Sequence, residues 1–70
     1  MMRLANRLRV ARAEKNLSQE ELGLLAGVTR QTISAIENGD YNPSALLAAM
    51  LTRALEKRFD ELFYLEEKPS

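Results

Sequence analysis

The stretch Leu17-Ser18-Gln19-Glu20-Glu21-Leu22-Gly23-Leu24-Leu25-Ala26-Gly27-Val28-Thr29-Arg30-Gln31-Thr32-Ile33-Ser34-Ala35-Ile36-Glu37-Asn38 decides the fold. Ser18 is placed to cap a helix, with Glu21 reaching back from the third helical position, and Leu22 and Leu25 supply an apolar face at helical spacing. Gly27 stops that helix. Thr29 caps a second one, whose Ile33 and Ile36 turn inward while Gln31, Ser34, Ala35 and Asn38 turn outward. Two short helices at a steep angle need a small residue where their backbones approach and a residue that tolerates positive φ in the turn. Gly23 and Gly27 fit these needs, and Val28 pins the second helix against the first. On spacing alone the pattern also fits any helical hairpin.

Working outward, Leu4, Leu8 and Ala11 fall on one helical face and predict a first helix from about Arg3 to Lys15, ended by Asn16. The turn Asn38-Gly39-Asp40-Tyr41-Asn42-Pro43 follows the third helix, with Gly39 suited to the left-handed conformation and Pro43 opening the next helix. From Ser44 onward Leu47, Leu51, Leu55 and Phe59 recur every four residues, followed by Leu62 and Phe63, as one apolar stripe. Glu56-Lys57-Arg58 contains no good stop signal, so propensity alone lets this helix run through. A straight helix carries Leu62 and Phe63 off a small core, which favours a break near Glu56 and Lys57. Phe63-Tyr64-Leu65 either packs as the end of the fifth helix or extends as a strand that pairs across a dimer. The division expected is a domain over residues 1–65 and a flexible charged tail over 66–70.

Seventy residues permit one small domain, near the lower size limit for a single apolar core, and 46% hydrophobic content suits a helical bundle. Cys and His are absent from the sequence, which excludes disulfides, thiolate or imidazole metal sites and imidazole catalysis. No apolar run approaches the ~20 residues of a membrane span. A cytoplasmic protein without membrane partner, cofactor, metal or enzymatic activity is expected. The net charge is zero but unevenly spread. Residues 1–30 hold six basic side chains against three acidic ones, and residues 31–70 hold four against seven.

The runs Gln19-Glu20-Glu21-Leu22, Gly27-Val28-Thr29-Arg30-Gln31-Thr32-Ile33-Ser34, Ile36-Glu37-Asn38-Gly39 and Asn42-Pro43-Ser44 resemble the Cro and phage-repressor-like (XRE-type) regulators. The resemblance spans nearly the whole chain, from Arg7-Leu8-Arg9 to Asp60-Glu61-Leu62-Phe63. It implies an all-α, five-helix lambda-repressor-like domain with a helix-turn-helix at helices two and three, binding double-stranded DNA as a homodimer to regulate transcription. It also implies the break between helices four and five, although relatives usually place Gly and a capping Ser there.

Base reading then falls to the first turns of the third helix, where Arg30, Gln31, Ser34 and Ala35 lie. The Gln31 amide matches N6 and N7 of adenine, Arg30 can fork onto guanine, and Ala35 suits a thymine methyl. Phosphate contact falls to Gln19, Thr29, Thr32, Asn38, Tyr41 and Asn42. The resemblance further implies an ion pair between Arg12 and Glu37, joining the first helix to the end of the recognition helix. Asp40 fits worst, since an acid there repels phosphate.

Ala45-Leu46-Leu47-Ala48-Ala49-Met50-Leu51 is apolar all round, which leaves Leu46, Ala49 and Met50 for a partner, together with Phe63, Tyr64 and Leu65 if the terminal segment forms the seam. A homodimer is the simplest partner. Two other functions fit the same residues: an antitoxin whose apolar surface takes a toxin protein, and a protein-interaction module without DNA binding.

Overall fold

A computed structural model describes residues 1–69. The elements run β1 (Met2–Asn6), α1 (Leu8–Glu14), α2 (Gln19–Ala26), α3 (Arg30–Glu37), α4 (Ala45–Leu55), α5 (Phe59–Leu62) and β2 (Phe63–Glu67). Five helices are present among the described residues, but the fold is not purely α. β1 and β2 form an antiparallel two-stranded ribbon, pairing Leu4 with Leu65 and Asn6 with Phe63.

The helices close on a core of Leu8, Ala11, Leu22, Ala26, Ile33, Ile36, Ala48, Leu51, Leu55, Leu62 and Phe63. Helices α2, α3 and α4 are each capped by a hydroxyl, those of Ser18, Thr29 and Ser44. The first four helices end alike. Asn16, Gly27, Gly39 and Glu56 each take a left-handed conformation, with φ of 56°, 75°, 80° and 55°. In each case the next amide bonds back to a carbonyl in the last turn, as Leu17 to Arg12 and Lys57 to Thr52, both at 3.0 Å. Glu56 makes this turn without the freedom of glycine, and it separates α4 from α5 in a sequence that otherwise favours helix.

The first helix begins at Leu8, not Arg3. Met2 to Ala5 are good helix formers, yet the segment to Asn6 pairs with Phe63 to Glu67, where aromatic residues favour the extended state and the tertiary contact overrides local propensity. Arg3 Nε donates to Glu66 at 2.6 Å across the ribbon, and the Arg7 guanidinium lies 4.2 Å above the Tyr64 ring. A lone two-stranded ribbon is marginal in water. This one is anchored because Phe63 sits in the core and the Arg7 amide bonds the Leu62 carbonyl at 2.8 Å.

Phe63-Tyr64-Leu65 is therefore not the end of a helix; it extends as a strand and pairs with β1 of its own chain. The boundary expected after Leu65 falls inside β2, with Glu66 and Glu67 paired to Arg3 and Met2 and the Lys68 amide bonded to the Met1 carbonyl. The flexible tail expected over 66–70 does not begin there, and Ser70 lies outside the described residues. Two stripe positions also move. Leu25 is exposed and Ala26 takes its place one turn after Leu22, while Phe59 is exposed and stacks on Phe63 at 5.1 Å. No helix among the described residues is long and apolar enough to cross a membrane.

Glu56 is the point of local strain. A left-handed non-glycine residue costs roughly 1–2 kcal/mol, whereas glycine loses about 0.5–1 kcal/mol more in chain entropy. The Glu56 carboxylate pairs with Lys15 alone among the described residues and is exposed, so its ion pair contributes little. Glu56→Gly is expected to stabilise the fold by about 0.5–1 kcal/mol in urea denaturation.

Candidate nucleic-acid interface

Helices α2 and α3 meet at a steep turn whose closeness is set by Gly23. A Cβ on Gly23 would lie 2.7 Å from the Val28 carbonyl oxygen, and the Val28 amide donates to the Gly23 carbonyl at 2.8 Å. The start of α2 is fixed by a reciprocal cap. The Glu21 amide donates to Ser18 Oγ at 3.0 Å while Glu21 Oε1 accepts from the Ser18 amide at 2.8 Å. That amide holds the Glu21 carboxyl below its ordinary pKa.

Helix α3 starts at Thr29, whose Oγ1 accepts from the Thr32 amide and lies 3.2 Å from the Thr32 hydroxyl. Ile33 and Ile36 are buried, which fixes the rotation of α3 about its axis. The opposite face then projects Arg30 and Gln31 fully and Ser34 and Ala35 partly into solvent. Neither Arg30 nor Gln31 makes a side-chain hydrogen bond among the described residues. Thr29 is exposed at one end of this face and Asn38 at the other, with Thr32 half-buried. Tyr41 and Asn42 are exposed beyond the turn, and Tyr41 shares a surface groove with Gln31, Thr32 and Ala35.

The end of α3 is held by a cluster around Glu37, whose side chain is only 1% exposed. Arg12 Nε donates to Glu37 Oε2 at 2.8 Å and Arg12 Nη2 donates to Oε1 at 3.2 Å, a bidentate pair. Arg12 Nη1 donates to the Leu17 carbonyl at 3.0 Å, so one guanidinium ties α1 to α3 and to the approach to α2. Gln19 Nε2 donates to Glu37 Oε1 at 3.1 Å. Burial pushes the Glu37 carboxyl up, but the bonds from Arg12 and Gln19, with the charges of Arg12 and Arg9, outweigh it and hold the pKa below its ordinary 4.5. The bond from Glu37 raises Arg12 in turn.

Two further residues join this cluster that the linear pattern did not single out. Asn6 Nδ2 donates to the Ile36 carbonyl at 2.9 Å, and Asn6 Oδ1 accepts from the Leu8 amide at 3.1 Å. Arg9 Nη2 lies 3.4 Å from Asn38 Oδ1. With the helix begun at Leu8, Asn6 reads as a side chain that satisfies a free amide of the first turn, a habit of asparagine at helix starts. Arg9 precedes Arg12 by three positions and so shares its face.

Of the residues considered for a partner surface, Leu46 is 74% exposed, Ala49 is exposed and Met50 is half-buried. Phe63 is not available to a partner, because it is a core residue at 2% exposure. Tyr64 lies under Arg7, and Leu65 stays exposed at the ribbon.

A helix-turn-helix family model matches residues 8–62. The chain is 46% identical over 65 residues to the uncharacterized HTH-type transcriptional regulator YgzD of Bacillus subtilis, covering 93% of this chain and 98% of that one. It is 48% identical over 61 residues to an uncharacterized HTH-type transcriptional regulator of Methanothermobacter thermautotrophicus, covering 86% and 88%. Among solved structures it is similar to the restriction-modification controller protein C.AhdI from Aeromonas hydrophila, with a TM-score of 0.73 and 37% identity over 77% of this chain and 78% of that one.

The Glu37 carboxyl is lowered in the folded state, so its contribution to stability is present above the ordinary carboxylate pKa and is lost as pH falls through the folded value. Glu37→Gln is expected to be less stable than the parent by about 1–3 kcal/mol near neutrality, the scale of hydrogen bonds to a charged group. Urea titrations from about pH 7 to about pH 3 should show that gap narrowing on acidification. A constant gap would mean that ionisation of Glu37 is not what the cluster uses.

Proposed function

This chain belongs to the XRE-type helix-turn-helix family of DNA-binding transcriptional regulators, and we propose that it acts in the cytoplasm as a repressor, occupying an inverted-repeat operator as a homodimer. The observation that carries this reading is the free polar face of α3. Ile33 and Ile36 lock the helix from behind, and Arg30 and Gln31 project outward with no protein partner to leave. A helix entering the major groove by its N-terminal end brings these first-turn side chains to the base edges. Gln31, with one acceptor and a two-donor amide, takes adenine. Arg30 forks onto guanine, and Ser34 and Ala35 line the same groove floor.

Phosphate contacts flank that face. Thr29 and Thr32 offer hydroxyls at the start of α3, and Asn38, Tyr41 and Asn42 offer donors at its end. Gln19 gives one amide proton to Glu37 and keeps the second for a phosphate. Its orientation is thus set before DNA arrives, which reduces the ordering cost of binding. The controller role named for C.AhdI, at 37% identity, supports regulation as the outcome of such binding. Repression by occupancy asks nothing more of the chain than the binding itself.

The homodimer rests on the apolar surface around Met50. Met50 lines one shallow groove with Leu46, Tyr41 and Val28 and a second with Leu25, Arg53 and Ala54. Leu46 and Leu25 are 74% and 54% exposed, so α4 with the neighbouring side of α2 offers a seam that a second copy covers.

Gln31→Ala is expected to weaken specific binding by about 1–3 kcal/mol and to relax preference at one position per half-site, read in a base-substitution panel. Loss that is uniform across sequences would reassign Gln31 to the backbone. Sedimentation at tens of micromolar should show a dimer, with recognition helices about 34 Å apart on DNA. Leu46→Glu and Met50→Glu should dissociate it while Leu65→Glu in the ribbon leaves it intact. Dissociation by Leu65→Glu alone moves the seam to the ribbon.

A further inference from the structure

We propose that Arg9 is a further phosphate-binding residue, forming with Gln19 and Asn38 a three-donor cradle for a single backbone phosphate at the edge of the recognition helix. The inference rests on the DNA-binding reading above and adds to it a residue and a shared ligand. It starts from how Glu37 is satisfied. Both Glu37 oxygens already accept good hydrogen bonds, from Arg12 at 2.8 and 3.2 Å and from Gln19 at 3.1 Å. The single buried negative charge is matched by the single guanidinium of Arg12. Arg9 brings a second positive charge to a carboxylate that is already neutralised.

The geometry of Arg9 matches that surplus. Its side chain is 67% exposed, while that of Arg12 is 17% exposed. It reaches Glu37 Oε1 only at 3.5 Å and Asn38 Oδ1 only at 3.4 Å, both at the outer limit of a hydrogen bond. The pair is long, its Arg9 end is solvated and Glu37 keeps its bonds from Arg12 and Gln19, so releasing it costs little. Arg12 is differently placed: three of its donors hold Glu37 and Leu17, and its task is to position α1 against α3.

Three groups converge where Arg9 lies. Arg9 Nε and Gln19 Nε2 share the oxygen Glu37 Oε1, and Arg9 Nη2 touches the Asn38 amide. Gln19 retains one free amide proton, Asn38 retains its own amide donors, and Arg9 supplies the charge. Gln19 belongs to α2 and Asn38 follows α3, so the convergence spans the two helices of the motif at its solvent side. A phosphate accepts several donors at once, and the charge-assisted bond from a guanidinium is the strongest of them. Asp40, two residues beyond Asn38, is exposed and opposes the site, but it makes no bond to any of the three donors.

The test uses the full chain and a duplex of about 30 base pairs selected by the wild-type protein from a random pool. Neutralising one phosphate contact changes the slope of log K against log salt by about 0.9. Arg9→Ala and Arg9→Gln each remove one contact per protomer, two per homodimer, and should make the slope shallower by about 1.8, with unchanged base preference and an unchanged melting midpoint. Arg9→Lys should restore most of the slope. A wild-type slope in both neutral variants overturns the proposal, and so does a lowered melting midpoint with the slope intact, which would make Arg9 structural. If the wild-type protein selects no duplex and shows no salt-dependent binding, the DNA-binding reading itself falls, and Arg9 falls with it.

Discussion

The structure turns on one buried carboxylate. Glu37 is the last residue of α3, where the partial negative charge of the helix end already disfavours an acid, and its side chain is withdrawn from water. An isolated carboxylate in that position costs several kcal/mol. The cost is offset by drawing partners from other helices, the bidentate guanidinium of Arg12 from α1 and the amide of Gln19 from α2. Three helices are thereby fixed to a single point, and the two partners are directional in a way that apolar contacts are not. Ile33 and Ile36 set how α3 is rotated; the Glu37 cluster sets where its far end stops.

The rest of the fold supports that point from two sides. Gly23 lets the backbone of the turn lie against α2, which sets the angle at which α3 leaves. The ribbon acts from the other side. Asn6 lies at the end of β1 and spends both ends of its amide, satisfying the first amide of α1 and a carbonyl in the last turn of α3. Since β1 is held by β2, and β2 by Phe63 in the core, the ribbon helps to hold the end of α3. A domain of this size has few apolar residues to spare, and polar ties of this kind add specificity of arrangement where core area is limited.

What the sequence made legible was chemistry local to the chain. The Ser18 and Glu21 box, the Thr29 and Ser44 caps and the left-handed Gly27 and Gly39 involve partners within a few residues, so spacing alone reveals them. The ribbon was not legible, because its partners stand from 57 to 65 residues apart and Met2 to Asn6 have no strand propensity of their own. Leu25 and Phe59 show the limit of periodicity. Packing buried Ala26 in place of Leu25, and of the stripe's Phe59, Leu62 and Phe63 it buried only the last two. At the interface, the outward set from Arg30 to Asn38 was readable from the helix period. Arg9 and Asn6 were hidden by a helix begun five residues early, which put Asn6 in mid-helix and gave it no amide to cap.

The zero net charge is compatible with a polyanionic partner once the pairing is followed residue by residue. Glu66 and Glu67 are taken by Arg3 and the terminal ammonium of Met1, Glu56 by Lys15, and Glu14 by Lys57. These acids are neutralised where they stand, mostly along the ribbon and between α1 and the end of α4. Near α3, Glu37 is neutralised by Arg12, which leaves Arg9 and Arg30 as charge in excess. A ligand within about a Debye length of ~8 Å responds to this local excess, not to the sum over the molecule. Asp40 and Glu20 are opposing charges, both exposed and without an ion-pair partner among the described residues. On the proposed function, so small a local surplus makes attraction to phosphate in general weak, and a larger share of the binding energy then has to come from the α3 face proposed to read bases. A domain charged in this way would trade indiscriminate affinity for a higher ratio of specific to non-specific binding.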